Sequence, residues 1–176
     1  FDAVCLAASP AAHGQGVLVT LNGDIHSARD MEKVHTTAVQ AFASPDVGVL
    51  GRMEEGAPRF RRRVLTRHTA ASEFDLAGVT ELPYVPILYG HAGADDRLAA
   101  AAVRGGAAGI VHAGAGNGSI AKAVLPTLAA AAAAGLPVVR ASRTGAGAVL
   151  FAEDAYRMAG FIDADTLPPA KARILL

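Results

Sequence analysis

The sequence is short of the residues that staple small folds together. It has one cysteine, Cys5, and no tryptophan, and aromatic residues make up 5% of its 176 positions. A single thiol excludes an internal disulfide and a thiolate metal site, so nothing in the fold needs an oxidising compartment. An excess of one charge is missing as well, because 16 Lys and Arg balance 16 Asp and Glu. No overall field therefore draws the chain to nucleic acid or to an anionic membrane. The longest apolar run, in the alanine-rich stretch near residue 130, falls well short of the roughly 20 residues of a membrane span, and no transmembrane segment is expected. The opening FDAVCLAAS lacks Met and has neither the basic start nor the apolar stretch of a signal peptide, so a processed or fragmentary chain is expected and the compartment is left open. What is present is 52% apolar and 18% charged, the composition of a folded globular protein. The length suits one domain, or one small domain joined to part of another.

Along the chain, DAVCLAASPAA predicts a helix that turns Val4, Ala7 and Ala8 inward and stops near Pro10 and Gly14. GVLVTLN, residues 16–22, is a β-branched and nearly all-apolar run, which predicts a strand buried on both faces. The charged segment HSARDMEKVHTT, residues 26–37, then falls at that strand's C-terminal end, where open α/β sheets bind ligands. VGVLGRM and RFRRRVL, separated by EEGAP, predict a hairpin. Arg59, Arg61, Arg62 and Arg63 beside Phe60 have a nucleic-acid reading, but the charge balance favours an edge strand whose positive charge discourages pairing. Residues 66–83 are polar and poorly periodic and mark a domain connection.

From Val85 onward the order is regular. VPILYG, IVHAG and LPVVRAS predict strands, DDRLAAAAVRGG and SIAKAVLPTLAAAAAAG predict helices, and their alternation implies a parallel sheet. Asp95 or Asp96 is expected to cap the first of these helices and Gly105 to end it. Asn117 or Ser119 is expected to cap the second, with a kink at Pro126 and an end at Gly135. The final ARILL predicts one more short strand.

Few constellations carry chemistry by their spacing. GAGNGS, Gly114 to Ser119, sits between a strand and a helix, as a dinucleotide fingerprint does, but its sixth position is serine and glycines there also serve backbone geometry alone. Arg140 ends the next strand, where an arginine meets the phosphate of NADP in some enzymes. A non-catalytic or nucleotide-binding α/β module that uses the Gly114–Ser119 loop is the alternative function. His13, His26, His35, His68, His91 and His112 lack the spacing of metal ligands, so no metal and no cofactor is expected. Ser119 and Ser142 follow strands without a G-x-S-x-G elbow, which disfavours a serine hydrolase. Lys33 reads as a solvated lysine or, near an interior, as a base formed by desolvation, with Arg29 and His35 to assist it.

Taken together, several segments resemble one family, the bacterial L-asparaginases, including the glutaminase-asparaginases. They are GVLVTLNGDIHSARDMEKVHTTAVQAFASPDVGVLG, VPILYGHAGADD, GAAGIVHAGAGNGSI, LPVVRASRTGAG and GFIDADTLPPAKARILL, in the family's order and over nearly the whole chain. The resemblance implies an α/β fold, with the end of an N-terminal α/β domain bearing a β-hairpin over residues 1–72. A linker at 73–83 and a smaller flavodoxin-like parallel-sheet C-terminal domain at 84–176 follow. It implies a homotetramer with active sites between subunits, an asparagine or glutamine substrate, and no nucleic acid or membrane partner. The implied reaction is hydrolysis of L-asparagine to L-aspartate and ammonia through a threonine acyl-enzyme.

The family's T-G-G-T-I and T-D-T segments, which hold its nucleophile, do not occur here, so the chain is expected to be only the C-terminal part of the enzyme and inactive by itself. By resemblance the lysine after R-D is Lys33, a catalytic residue that manages the threonine's proton. The carboxylate that reaches a neighbouring subunit's substrate amine falls on Glu153, with Asp154 as the alternative register. Gly93 stands where some relatives have asparagine, and Glu32 where a threonine is common.

Overall fold

In the computed structural model, residues 1–150 and 153–176 are described. They form two compact units, Phe1–Ala77 and Gly78–Leu176.

The first unit opens with α1 (Asp2–Ala8) and a 3-10 turn at Pro10–Ala12. The residue that α1 buries is Leu6, at 4% exposure, while Val4 is 73% exposed. The inward face is thus not the predicted Val4, Ala7 and Ala8, because a seven-residue helix meets its sheet through one stripe only.

Next come β1 (Leu18–Leu21) and β2 (Asp24–Ser27), antiparallel and joined by a two-residue turn. Asn22 and Gly23 both take positive φ, 51° and 81°, the geometry that closes such hairpins and that Asn-Gly favours. This corrects the expected strand buried on both faces: β1 is an antiparallel edge strand of intermediate burial, and its partner β2 is the buried one.

β3 (Glu32–Lys33) and β4 (Phe42–Ala43) form a separate two-stranded ribbon. The predicted hairpin is present as β5 (Gly51–Glu54) and β6 (Ala57–Phe60), turned at Glu55 and Gly56 with φ of 51° and 76°. The sheet order β1-β2-β5-β6 places the arginine-bearing β6 at an edge. Leu6, Ile25 and Leu50 form this unit's core.

In the second unit β7 (Ile87–Tyr89), β8 (Ile110–Gly114), β9 (Val138–Ser142) and β10 (Ile162–Asp163) are parallel and lie side by side in sequence order. The interleaved helices are α2 (Arg97–Arg104), α3 (Leu125–Ala133) and α4 (Asp154–Met158), and α5 (Pro169–Leu175) follows β10. Alternation along β8 and β9 divides the core. Ile110 and Val138 join Ala99, Ala102 and Leu128 of the helices in one cluster, whereas Val111 and Val139 join Val85 and Ala172 in another. Each fully buried Val or Ile is worth about 1.5–3 kcal/mol.

Three expectations change here. Pro126 lies in the first turn of α3, where its missing amide costs nothing, so the helix begins there and no kink arises. Neither Asn117 nor Ser119 caps it, since its N-cap is Val124. ARILL is helical, because Pro168 and Pro169 start a turn that buries Pro169 and Ala172 on one side. Gly105 does end α2, and Asp96 is its N-cap without a side-chain cap bond.

Candidate active site

The segment that carries Lys33 begins inside the sheet. His26 and Ser27 belong to buried β2, and the Ser27 carbonyl then accepts from the amides of Asp30 and Met31 to turn the chain out. The Ser27 hydroxyl steadies that turn by accepting from the Arg29 amide at 3.2 Å. β3 follows, with Lys33 opposite Phe42 in register and the Lys33 ammonium 4.9 Å from the Phe42 ring centroid. The aromatic face attracts the cation and gives an exposed side chain a preferred direction.

Two links hold this ribbon to the four-stranded sheet. His26 Nδ1 lies 2.9 Å from Ser44 Oγ, both residues being buried. Gln40 donates to Asp24 Oδ2 at 2.9 Å and its own carbonyl accepts from Asn22 at 2.8 Å, while Asp24 Oδ1 meets Arg52 at 2.9 Å. Burial pushes the His26 pKa down, against the pull of Asp24.

The expected helpers of Lys33 are occupied elsewhere. His35 Nδ1 accepts from the amides of Thr37 and Ala38 and so shapes the loop, and Arg29 pairs with Asp30 at 2.8 Å. His26 and Ser44 were not singled out as a pair by the sequence. The signal was available, since the Asn22-Gly23 turn sets β2 in register and makes it a buried strand.

In the second unit Glu153 is exposed at the N-cap of α4, where its side chain makes no cap hydrogen bond. The neighbouring Asp154 pairs with Arg157 at 2.9 Å. Lys33 and Glu153 stand in different units.

Arg140 is fully buried instead of facing a phosphate. Its Nε donates to Asp163 Oδ1 at 2.9 Å, its Nη2 lies 2.8 Å from the same oxygen, and its guanidinium sits 4.4 Å from the centroid of the Tyr156 ring. The Gly114–Ser119 stretch is a tight turn bridged from Ala115 to Ser119, and the first helical residue after it is Leu125. A side chain at Gly114 would run into the Ser119 backbone, so the glycine serves the turn itself. Ser142 Oγ donates to the Gly116 carbonyl and accepts from the Thr144 amide, which commits it to the same loop.

A cavity of about 320 Å³ opens beside β7 and α2, lined among others by Leu88, His91, Gly93, Asp95, Arg97 and His112. His112 is 2% exposed, and burial, reinforced by the Arg140 charge, pushes its pKa down to about 4. Asp95 and Arg97 pair at 2.7 Å, which holds the Asp95 carboxyl below its usual range. Among the described residues no group of three or more His, Cys, Asp or Glu is placed to hold a metal ion, and no helix is long and apolar enough to cross a membrane.

The Glutaminase/Asparaginase C-terminal domain model matches residues 84–176, and the Asparaginase N-terminal model matches residues 1–66. The chain is 42% identical to L-asparaginase 2 of Escherichia coli (strain K12), covering 100% of this chain and 51% of that protein. It is 40% identical to the glutaminase-asparaginase of Pseudomonas fluorescens biotype A, over 99% of this chain and 49% of that protein. Identity to L-asparaginase 2 of Bacillus subtilis (strain 168) is 39%, over 100% of this chain and 46% of that protein. The chain spans about half the length of the curated relatives it matches.

Proposed function

Since the chain belongs to the glutaminase/asparaginase family, we propose that it is part of an amidohydrolase that converts L-asparagine, and L-glutamine as a second substrate, to the acid and ammonia. The observation that carries this is similarity along the full chain to relatives named L-asparaginase 2 and glutaminase-asparaginase. In this scheme a threonine hydroxyl, supplied from outside these residues, attacks the side-chain amide carbonyl. The C–O bond forms, the C–N bond breaks, ammonia leaves with the threonine's proton, and water then hydrolyses the ester. Lys33 is the catalytic residue that holds that proton's position. Its three donors and the direction set by Phe42 suit the task.

Glu153 serves as the carboxylate for the substrate's α-amino group, in a site completed between subunits of a homotetramer. Its uncommitted position at the N-cap supports it over Asp154, which Arg157 already engages. The reading is tested by incubating the whole protein that carries this chain with asparagine and with glutamine and measuring ammonia. Release from neither substrate would end it, and a monomer by light scattering would end the assembly proposed with it.

A further inference from the structure

The chain has two asparagines, and each is followed by glycine, as Asn22-Gly23 and Asn117-Gly118. Glycine carries no Cβ to shield its amide nitrogen, so that nitrogen can close a ring on the side chain of the asparagine before it. The fold treats the two pairs differently. Asn117 is clipped to a distant segment at both ends of its amide: Nδ2 donates to the Leu150 carbonyl at 2.6 Å, and Oδ1 accepts from the Leu150 amide at 2.9 Å. Gly118 is buried, and a Cβ there would meet Val149 Cγ1 at 3.1 Å and the Ala141 carbonyl at 3.3 Å. Ring closure at Asn117 must break both bonds and push Gly118 into its neighbours. Asn22, by contrast, is exposed in the turn between β1 and β2, and its Nδ2 donates at 2.8 Å to the side chain of Gln40, itself exposed. The nearest atom to a Cβ on Gly23 is the Met53 carbonyl oxygen at 4.0 Å, which leaves room for a tetrahedral carbon to form beside the Gly23 nitrogen.

We propose that Asn22 is a self-modification site, converted to aspartate or isoaspartate through a succinimide with Gly23, that this loosens the β3-β4 ribbon carrying Lys33, and that the Leu150 clip keeps Asn117 intact. In the first step the Gly23 nitrogen bonds to Asn22 Cγ and the Cγ–Nδ2 bond breaks, ammonia leaving with the Gly23 amide proton. Water then opens the ring at either carbonyl and leaves a carboxylate. The consequence runs through Gln40, whose Nε2 donates to Asp24 Oδ2 at 2.9 Å and to the Phe42 carbonyl at 3.4 Å. A carboxylate in place of the Asn22 amide turns the donor facing Gln40 Oε1 into an acceptor, and Gln40 loses that partner. Isoaspartate also lengthens the backbone of a tight two-residue turn whose geometry sets the hairpin.

The test holds the whole protein in mildly alkaline heavy-oxygen water, native and in urea, and follows both asparagine-bearing peptides by mass spectrometry. In the native protein Asn22 is expected to convert at least about tenfold faster than Asn117, and in urea the two rates should agree within about threefold. Equal native rates, or an Asn22 that stays intact natively while the urea-unfolded chain converts, would overturn the site, and a gap that persists in urea would overturn the protective role of the clip. Asn22→Asp reads the consequence. Hydrogen exchange of the Val34 amide, which donates to the Ala41 carbonyl at 2.9 Å, is expected to quicken about fivefold in this variant. Unchanged exchange there would overturn the loosening of the ribbon.

Discussion

His26 Nδ1 sits 2.9 Å from Ser44 Oγ, and this buried contact joins the central strand β2 to the end of the ribbon that carries Lys33. The other ring nitrogen, Nε2, is buried with no partner among the described residues. Ser44→Ala therefore leaves the imidazole without its partner and is expected to cost about 1–3 kcal/mol. At about 2–4 °C per kcal/mol, thermal unfolding should drop by several degrees. The double variant His26→Leu with Ser44→Ala should recover part of the loss, since it removes both polar groups. An unchanged midpoint in Ser44→Ala would show that the contact contributes nothing.

Lys33→Met separates chemistry from folding. The side chain is exposed, with its ammonium over the Phe42 ring, so stability should change by about 1 kcal/mol or less. Ammonia release by the whole protein should fall at least about a hundredfold, in kcat more than in KM. Full activity in this variant would remove Lys33 from the mechanism.

Stability should fall on mild acidification, and His112 sets much of the window. Its folded pKa of about 4 lies below the ordinary 6.5, and His26 is shifted in the same direction. As pH falls the unfolded chain takes up the proton first, so the contribution is complete above about 6.5 and is lost progressively toward about 4. For His112 the slope approaches about 1.4 kcal/mol per pH unit within this window. Urea unfolding across this range should be flatter by one such slope in His112→Gln. Parallel curves for the two proteins would refute the assignment.

Gly114 and Gly116 separate a steric demand from a conformational one. A Cβ at Gly114 meets the Ser119 backbone, whereas Gly116 faces open space but has φ of 50°. Gly114→Ala should cost about 3 kcal/mol or more, and Gly116→Ala about 1 kcal/mol. Equal costs in denaturant titrations would contradict a turn built around the close approach at Gly114.

The parallel half was legible because its strands are short apolar runs flanked by glycine and separated by alanine-rich helices, a pattern set by burial on both faces. ARILL, four apolar residues and one arginine, is too short to carry a usable period. Its helix is decided by Pro168 and Pro169 before it and by docking of Ala172 and Arg173. GVLVTLN has the composition of a strand buried on both faces, and only the Asn22-Gly23 turn that follows marks it as one half of an antiparallel hairpin. Lys33 and Glu153 could be singled out only by resemblance. One sits on an exposed ribbon and the other at a helix start, and neither position differs locally from an ordinary surface charge. His112 was beyond reach of spacing, since its displaced proton affinity comes from an enclosure that only the folded chain supplies.

In the parallel sheet every strand lies beside its predecessor in the chain, and the long-range closure comes from α5, where Arg173 Nε donates to the Val85 carbonyl at 2.7 Å, 88 residues back. The kinetic consequence is an order of events. Neighbouring strands can zip together in sequence at modest loop-closure cost, while the face around Val85, Val111 and Ala172 stays open until the helix docks. Pulse-labelled hydrogen exchange during refolding should therefore protect the β8 and β9 amides before those of α5. Simultaneous protection would mean that the unit folds in one concerted step.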